Sequence, residues 1–277
     1  MRKSSIRPFG YAIAIMGALF ALAHIFAAGC SNRASLAERL DAVRENYYSS
    51  VHISTELTSF IEPLLSFNVE EKSSYDNLRD TLQGCMAAAD EAGKYLSDLG
   101  SYDYSGEMEY LGEYIMEYKD GCAIALDELE GVYGYLESLL VTLEPWVHII
   151  EKMPKLSGSE SLKPLVHSYQ EMLAFSEPIK AALAGMAAPP VLNDFHSLMK
   201  EIVQNASNIF QAYIAIAMTS DNPRDVSGNQ YIIQHLALKG RYQQLVPGLF
   251  ERLKISGLDP YMEKVELEIN RLYLGRS

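Results

Sequence analysis

Apolar residues recur at alternating intervals of three and four positions over most of the chain. This spacing is typical of amphipathic helices, in which such positions share one face. It predicts a first helix over 36–64 and a second over 68–99. Asn68 and Glu71 have the spacing of a capping box, which would start the second helix.

The third predicted helix has the clearest pattern, because its apolar residues keep a heptad-like spacing from Met108 to Leu143. Such a face lets long helices pack at shallow angles. Pro145 is expected to break or kink this helix, since proline cannot donate the helical hydrogen bond. Residues 154–164 contain two prolines, a glycine and three serines, which predicts a loop between two helical regions.

Further helices are predicted at about 161–186, 191–220, 229–255 and 260–274. Pro178 and the pair Pro247-Gly248 are expected to kink the helices that contain them. No stretch alternates apolar and polar residues as a strand does. The pattern therefore predicts an all-α fold of elongated antiparallel bundles with about seven helices after residue 29, in regions 30–153 and 154–277.

The first thirty residues follow a different pattern. Arg2, Lys3 and Arg7 form a basic start, residues 11–28 are uncharged and mostly apolar, and the segment ends in Ala27-Ala28-Gly29-Cys30. This arrangement resembles the signal peptide and lipobox of bacterial lipoproteins, although Ala27 stands where that family most often has leucine. The resemblance implies that residues 1–29 are removed and that the Cys30 sulfur receives a diacylglycerol.

A lipid on Cys30 would tether the chain to the extracytoplasmic face of the cell membrane or the outer membrane. The apolar run has 18 residues, whereas the apolar core of a secretory signal usually has about 7–15. Because about 20 apolar residues span a bilayer, an uncleaved single-pass anchor remains the alternative. In both cases the basic start stays in the cytoplasm and the rest of the chain lies outside.

The mature chain would be strongly acidic. The full sequence has a net charge of −13, and removal of three basic residues with the signal peptide makes it −16. Such a charge repels nucleic acid and anionic headgroups, so both are poor partners. Ordinary solubility of an exported protein also accounts for the charge. Apolar residues make up 48% of the chain, which excludes wholesale disorder.

Two cysteines, Cys85 and Cys122, remain if Cys30 carries lipid. Exported proteins often pass an oxidising compartment, in which paired cysteines form disulfides. In a symmetric antiparallel hairpin, the midpoint of this pair lies between Asp103 and Tyr104, inside the predicted turn. The sequence therefore predicts a disulfide between the second and third helices. Two unlinked buried thiols are the alternative.

Sequence motifs for catalysis or metal binding are absent from the chain. There is no G-x-S-x-G elbow, phosphate loop or zinc-type cysteine cluster. Asp194, His196 and Met199 offer three ligand types on one helical turn, but a metal needs further ligands from other helices. We therefore expect no enzyme, cofactor or metal. The histidines of the mature chain are His52, His148, His167, His196 and His235.

Tyrosines and glutamates alternate between residues 102 and 118. Tyr110, Tyr114 and Tyr118 are spaced by four and share a helix face, beside a row of carboxylates. The members are Tyr102, Tyr104, Tyr110, Tyr114, Tyr118, Glu107, Glu109, Glu113 and Glu117. A cationic ligand or basic partner helix would suit this chemistry, and we predict a partner-binding site at Tyr110, Tyr114, Glu109 and Glu113. Alternatively, Tyr118 belongs to the core and the other tyrosines lie at its edge.

These features together predict a membrane-tethered, extracytoplasmic helical-bundle lipoprotein. Its expected role is binding or scaffolding in the bacterial cell envelope, with a protein partner and no nucleic acid. The alternative is a small-ligand or metal-binding bundle that serves a transporter or a sensor. A polar cavity around His148, His167, His196 or His235 would favour the alternative, whereas a solid aliphatic core with exposed tyrosines would favour a protein partner.

Overall fold

A computed structural model describes residues 35–69, 71–151, 161–221, 225 and 229–275, without the side chains of 148–151. The chain divides into two compact units, 1–41 and 42–277. The predicted signal peptide 1–29 and Cys30 lie outside the described residues. In the first unit, Ser35 and Glu38 form a capping box in which Glu38 Oε2 accepts the Ser35 N–H at 2.7 Å and Ser35 Oγ accepts the Glu38 N–H at 3.3 Å.

The described residues form helices and no strand, which confirms the predicted all-α fold. Seven of the described helices have 16 residues or more, as the sequence pattern predicts. None of the helices in the described part is long and apolar enough to cross a membrane. In chain order the α-helices are α1 (Leu36–His52), α2 (Ser54–Leu57), α3 (Ile61–Leu65), α4 (Lys72–Leu99), α5 (Glu109–Glu151), α6 (Val166–Gly185), α7 (Asn193–Thr219), α8 (Gln230–Leu245), α9 (Leu249–Arg252) and α10 (Asp259–Leu274).

Helix α5, with 43 residues, contacts α4, α6 and α10. The apolar positions that predict it are buried, among them Leu111, Ile115, Leu129, Leu136 and Leu143, each at most 1% exposed. Full burial of a side chain of this kind stabilises the folded state by roughly 1.5–3 kcal/mol relative to leaving it exposed. The heptad-like face is therefore the surface on which the neighbouring helices pack.

The predicted first helix, 36–64, is interrupted in the structure. Helix α1 ends at His52, and α2 and α3 follow as separate short helices. Where the helix is interrupted, the carbonyl oxygens of Glu56 and Leu57 accept hydrogen bonds from the side chains of Cys85 and Tyr133 on other helices. Asn68 and Glu71 do not form the predicted capping box, because α4 begins only at Lys72 and the Asn68 amide donates to the Glu71 carboxylate at 2.9 Å.

Prolines have different effects at different places. Pro145 lies inside α5, which continues to Glu151, so it does not break the helix, and the kink expected as the other outcome stays a prediction. Trp146, directly after it, is 6% exposed, and burial of such a side chain offsets the loss of one helical hydrogen bond. Pro178 also lies inside a continuous helix, α6. By contrast, α8 ends at Leu245, shortly before Pro247, ten residues earlier than predicted.

Cys85 and Cys122 are both free thiols, buried in different surroundings, so the predicted disulfide is wrong. The Cys85 thiol donates to the carbonyl oxygen of Glu56 at 3.3 Å, and its sulfur lies 3.3 Å from the Ser59 hydroxyl oxygen. Cys122 lies on α5, one helical turn after Tyr118. Burial raises the pKa of the Cys122 thiol to about 11, which keeps it protonated and unreactive at neutral pH.

The pairing of α4 with α5 explains this error. The Tyr75 hydroxyl donates to the carbonyl oxygen of Leu143 at 3.2 Å, and Gly100 lies against the side chain of Lys119. The residue numbers of each pair average to 109 or 109.5, so the midpoint in sequence falls at or next to Glu109. The two helices are therefore antiparallel, as predicted. The midpoint of their pairing, however, is the first residue of α5 and not the turn between Asp103 and Tyr104.

The asymmetric pairing leaves the first ten residues of α5 beyond the end of α4, a length of roughly 15 Å at 1.5 Å per residue. The connecting segment 100–108 runs back along this overhang. A Cβ atom at Gly112 would lie only 2.6 Å from the Cβ of Tyr104, so glycine is needed where the segment passes α5. Cys85 and Cys122 are consequently offset by about eleven positions, roughly 16 Å along the helices.

Helices α6, α7 and α8 pack in sequence order. The Ser207 hydroxyl donates to that of Ser176 at 2.8 Å between α7 and α6, and the Asn205 amide donates to the carbonyl oxygen of Tyr231 at 2.9 Å between α7 and α8. The predicted boundary at 154–164 is described only from 161 onward, and it stays a prediction. Asp221, with a φ of 53°, accepts the backbone N–H groups of residues 162 and 163 at 2.7 and 3.0 Å, which joins the end of α7 to the start of α6.

Candidate functional site

The overhang of α5 carries all four predicted partner-binding residues. Tyr110 is 60% exposed, Glu109 and Glu113 are exposed, and Tyr114 is half-buried. We refer to these four residues as the aromatic–acidic surface. Glu109 is in the first turn of α5, where the positive end of the helix dipole favours a carboxylate.

The other tyrosines of this region hold the fold together. Tyr118 is 2% exposed, and its hydroxyl lies 3.1 Å from that of Ser50. The Tyr102 hydroxyl accepts a hydrogen bond from the Asn46 amide at 2.7 Å, and the Tyr104 hydroxyl donates to the last carbonyl of α4 at 2.6 Å. Burial raises the pKa of Tyr118 and Tyr104, so both phenols stay neutral. Tyr102, Tyr104 and Tyr118 thus have structural roles, whereas the ring of Tyr110 is exposed.

Helix α10 places a lysine on the edge of the aromatic–acidic surface. The Lys264 ammonium lies 2.6 Å from Oε2 of Glu117 and 5.9 Å from the centre of the Tyr114 ring. The hydrogen bond to Glu117 raises the pKa of Lys264. Lys264 is therefore a cation of the kind that a tyrosine ring beside a carboxylate attracts.

Arg271, also on α10, lies near the outer end of the same surface. Its guanidinium donates to both carboxylate oxygens of Glu268, at 2.8 and 2.6 Å. This pair raises the pKa of Arg271, and Glu107 and Tyr110 raise it further. Among the described residues, Glu109 and Glu113 have no ion-pair partner, although Glu117 and Glu268 do. The exposed Tyr110 ring therefore has two carboxylates without an ion-pair partner among the described residues beside it on α5.

The histidines are spread over the structure. His52 and His167 are exposed, and the side chain of His148 is outside the described residues. The Nδ1 of His196 lies 3.0 Å from the Tyr135 hydroxyl, and burial, followed by nearby Lys200, lowers its pKa. No group of three or more His, Cys, Asp or Glu residues in the described ranges could hold a metal ion.

The remaining candidate ligands and acids have structural partners. Asp194 binds Arg252 at 3.0 Å, whereas Met199 is 1% exposed and lies in the core, so the two do not converge with His196. Glu128, in the acidic run of α5, accepts the backbone N–H of Lys254 at 2.7 Å. This bond ties the turn Lys254–Gly257 to α5.

A cavity of about 240 Å³ lies where α5, α7 and α8 meet. Helix α7 contributes a stripe of residues along one face, and α5, α8 and Val69, which lies in the turn before α4, supply the remaining walls. The lining contains His235 but no Asp, Glu, Lys or Arg. Its residues are Val69, Leu143, Trp146, Met199, Ile202, Val203, Ala206, Ile209, Phe210, Tyr213, Ile232, His235 and Leu236.

The sequence pattern did not reveal this cavity. Periodicity identifies the apolar face of α7, but it cannot tell whether the facing helices fill the space between them. Comparisons with protein families, with curated proteins and with solved structures find no match to this chain. The surface and the cavity therefore have to be interpreted from their own chemistry.

Proposed function

We propose that this chain is a membrane-tethered, extracytoplasmic lipoprotein that acts as a binding or scaffolding protein in the bacterial cell envelope. The tether rests on the lipobox-like sequence that ends in Cys30. The binding role rests on one observation, the 60% exposed Tyr110 ring beside the exposed residues Glu109 and Glu113. Tyrosine is enriched at recognition surfaces because it combines a large apolar area with a polar tip.

The expected partner is a basic segment of another envelope protein. Lys264 illustrates the contact, since its ammonium binds Glu117 and lies 5.9 Å from the centre of the Tyr114 ring. A lysine or arginine of the partner would make the same type of contact one turn earlier, with Glu113 and Tyr110. Exposed ion pairs contribute little each, so the tyrosine rings supply most of the affinity.

Site-specific crosslinking tests the partner surface. A photoreactive phenylalanine at position 110 should capture a basic envelope protein, and Glu109→Gln with Glu113→Gln should reduce the yield. Position 48 is the matched control, because Tyr48 is also exposed, at 40%, on another helix. Equal capture from both positions, or capture that the two glutamine substitutions do not alter, would contradict the proposed surface.

Mass spectrometry of the membrane-extracted protein tests the tether separately. The N-terminal peptide should begin at an acylated Cys30. An intact Met1 would instead identify a single-pass anchor, and the lipoprotein assignment would be wrong.

The second candidate function is a small-ligand-binding bundle that serves a transporter or a sensor. The cavity between α5, α7 and α8 favours a small ligand over a metal ion for this function. The walls of the cavity are preformed by three helices. The apolar lining suits an uncharged ligand better than a metal ion.

A further inference from the structure

The cavity between α5, α7 and α8 has the properties of a binding site for hydrocarbon. Its lining is dominated by aliphatic side chains, such as Ile202, Ile209 and Ile232, and includes no Asp, Glu, Lys or Arg. A charged ligand group would lose its hydration there without gaining an ionic partner. The lining therefore selects an uncharged apolar ligand.

The volume of the cavity limits the size of this ligand. A cavity of about 150 Å³ with a similar aliphatic and aromatic lining accommodates benzene. By proportion, about 240 Å³ has room for roughly ten carbon atoms. A hydrocarbon chain of this length fits, whereas a longer chain would extend out of the cavity.

The cavity opens to the surface along α8. Leu236 lines the cavity and is nevertheless 66% exposed, so this side chain lies at the opening. Ile233, three residues earlier, is 61% exposed and extends the apolar surface beside it. An amphiphile can therefore insert its chain and leave its polar group in water near Leu236. The net charge of −13 disfavours an anionic polar group at this position.

The walls of the cavity are held in place by contacts between the helices that form it. The Asn205 amide binds the carbonyl oxygen of Tyr231, next to Ile232, and so joins α7 to α8. The rings of Trp146 and Phe210 meet with their centres 5.9 Å apart and join α5 to α7. Because opposite walls are braced in this way, the space does not need to be created by the ligand.

We propose that this cavity binds the hydrocarbon chain of an uncharged or zwitterionic amphiphile, with about ten carbons of the chain inside and the polar group at Leu236. This site is separate from the aromatic–acidic surface, which lies on the overhang of α5. The chain could belong to a free single-chain amphiphile or to a bilayer lipid, which the experiment below distinguishes.

Trp146 is the single tryptophan of the chain and lines the cavity, so it reports occupancy directly. The purified full-length protein is titrated with 10-bromodecan-1-ol, whose bromine quenches indole fluorescence on contact. We expect saturable quenching that decan-1-ol, which lacks bromine, reverses by competition. Quenching that rises linearly without saturation, or that decan-1-ol does not reverse, would overturn the proposal. This test needs only the wild-type protein.

Three variants locate the binding site. Ala206→Leu fills part of the cavity and should weaken binding by about tenfold or more, since it displaces several methylene groups. Leu236→Ala should weaken binding roughly fivefold, whereas Leu267→Ala, which removes an equally exposed leucine (63%) on α10, should match wild type. Circular dichroism confirms folding of each variant. Equal affinity of folded Ala206→Leu and wild type would place the quencher elsewhere and refute the site.

Vesicles of zwitterionic phospholipid with brominated acyl chains form the second arm. Quenching by the free alcohol alone assigns the site to single-chain amphiphiles, and quenching by the vesicles as well assigns it to bilayer lipid. Tyr110→Ala should leave both titrations unchanged, so this proposal and the partner surface can fail independently.

Discussion

Replacing Tyr133 by phenylalanine removes one buried hydroxyl and leaves the aromatic ring in place. Tyr133 is 1% exposed, and its hydroxyl donates to the carbonyl oxygen of Leu57 at 2.6 Å. Its ring meets that of Phe60 edge to face, with the centres 5.7 Å apart. Tyr133→Phe preserves the ring contact and leaves the Leu57 carbonyl without this donor, which should cost about 1–2 kcal/mol.

Thermal unfolding followed by circular dichroism measures this cost. For a domain of this size, 1 kcal/mol lowers Tm by about 2–4 °C, so Tyr133→Phe should lower it by about 2–8 °C. Tyr133→Ala also removes the ring and should cost about 3–5 kcal/mol. Tyr110→Phe is the matched control, because that side chain is 60% exposed, and its Tm should equal that of wild type.

The comparison separates structural tyrosines from surface tyrosines. If Tyr133→Phe and Tyr110→Phe have the same Tm, the Tyr133 hydroxyl does not bind the Leu57 carbonyl in solution. The position of α2 against α5 that this bond defines would then be wrong.

Three further predictions concern the termini of helices and the thiols. Hydrogen bonds, the strongest from the Ser161 hydroxyl, lower the pKa of Asp221 below its ordinary value of 3.8. The ionised carboxylate therefore stabilises the folded state fully above about pH 4, and this stabilisation is lost as the pH falls through the lowered pKa. Urea unfolding should find Asp221→Asn destabilised at pH 7 and close to wild type at about pH 2. Thiol reagents should label Cys85 and Cys122 only after unfolding, and a disulfide-linked peptide in non-reducing mapping would contradict this. Gly112→Ala should lower Tm because the new methyl group collides with the segment 100–108, whereas Gly134→Ala, with no neighbour within 4 Å, should stabilise by about 0.5–1 kcal/mol.

The helices of this protein follow from local sequence signals. The threes-and-fours spacing predicts the seven long helices, and Leu111, Ile115 and Leu129 occupy the buried face of α5 as expected. Periodicity succeeds here because the residues that share a helical face are close in sequence. It fails at 53–65, where the carbonyl oxygens of Glu56 and Leu57 bind side chains of distant helices instead of continuing the helical pattern.

The candidate sites depend more strongly on distant contacts. The sequence places Tyr110, Tyr114 and Tyr118 on one face of a helix, but burial of Tyr118 beside Ser50 separates it from the exposed Tyr110. The cations of α10 reach this region from more than a hundred residues away, as the contact of Lys264 with Glu117 illustrates. Spacing within one helix carries no information about such neighbours.

The amino-acid pattern is sufficient for the all-α fold, for the long apolar face of α5 and for an acidic chain with a lipobox-like start, because each depends on residues that are near one another in sequence. The offset between α4 and α5 was decided by tertiary packing, which centres the helix pair on Glu109 and keeps Cys85 away from Cys122. The same offset creates the overhang that exposes Tyr110. The cavity beside Trp146 likewise arises only where three helices meet without filling the space between them, since its volume depends on side chains from all three.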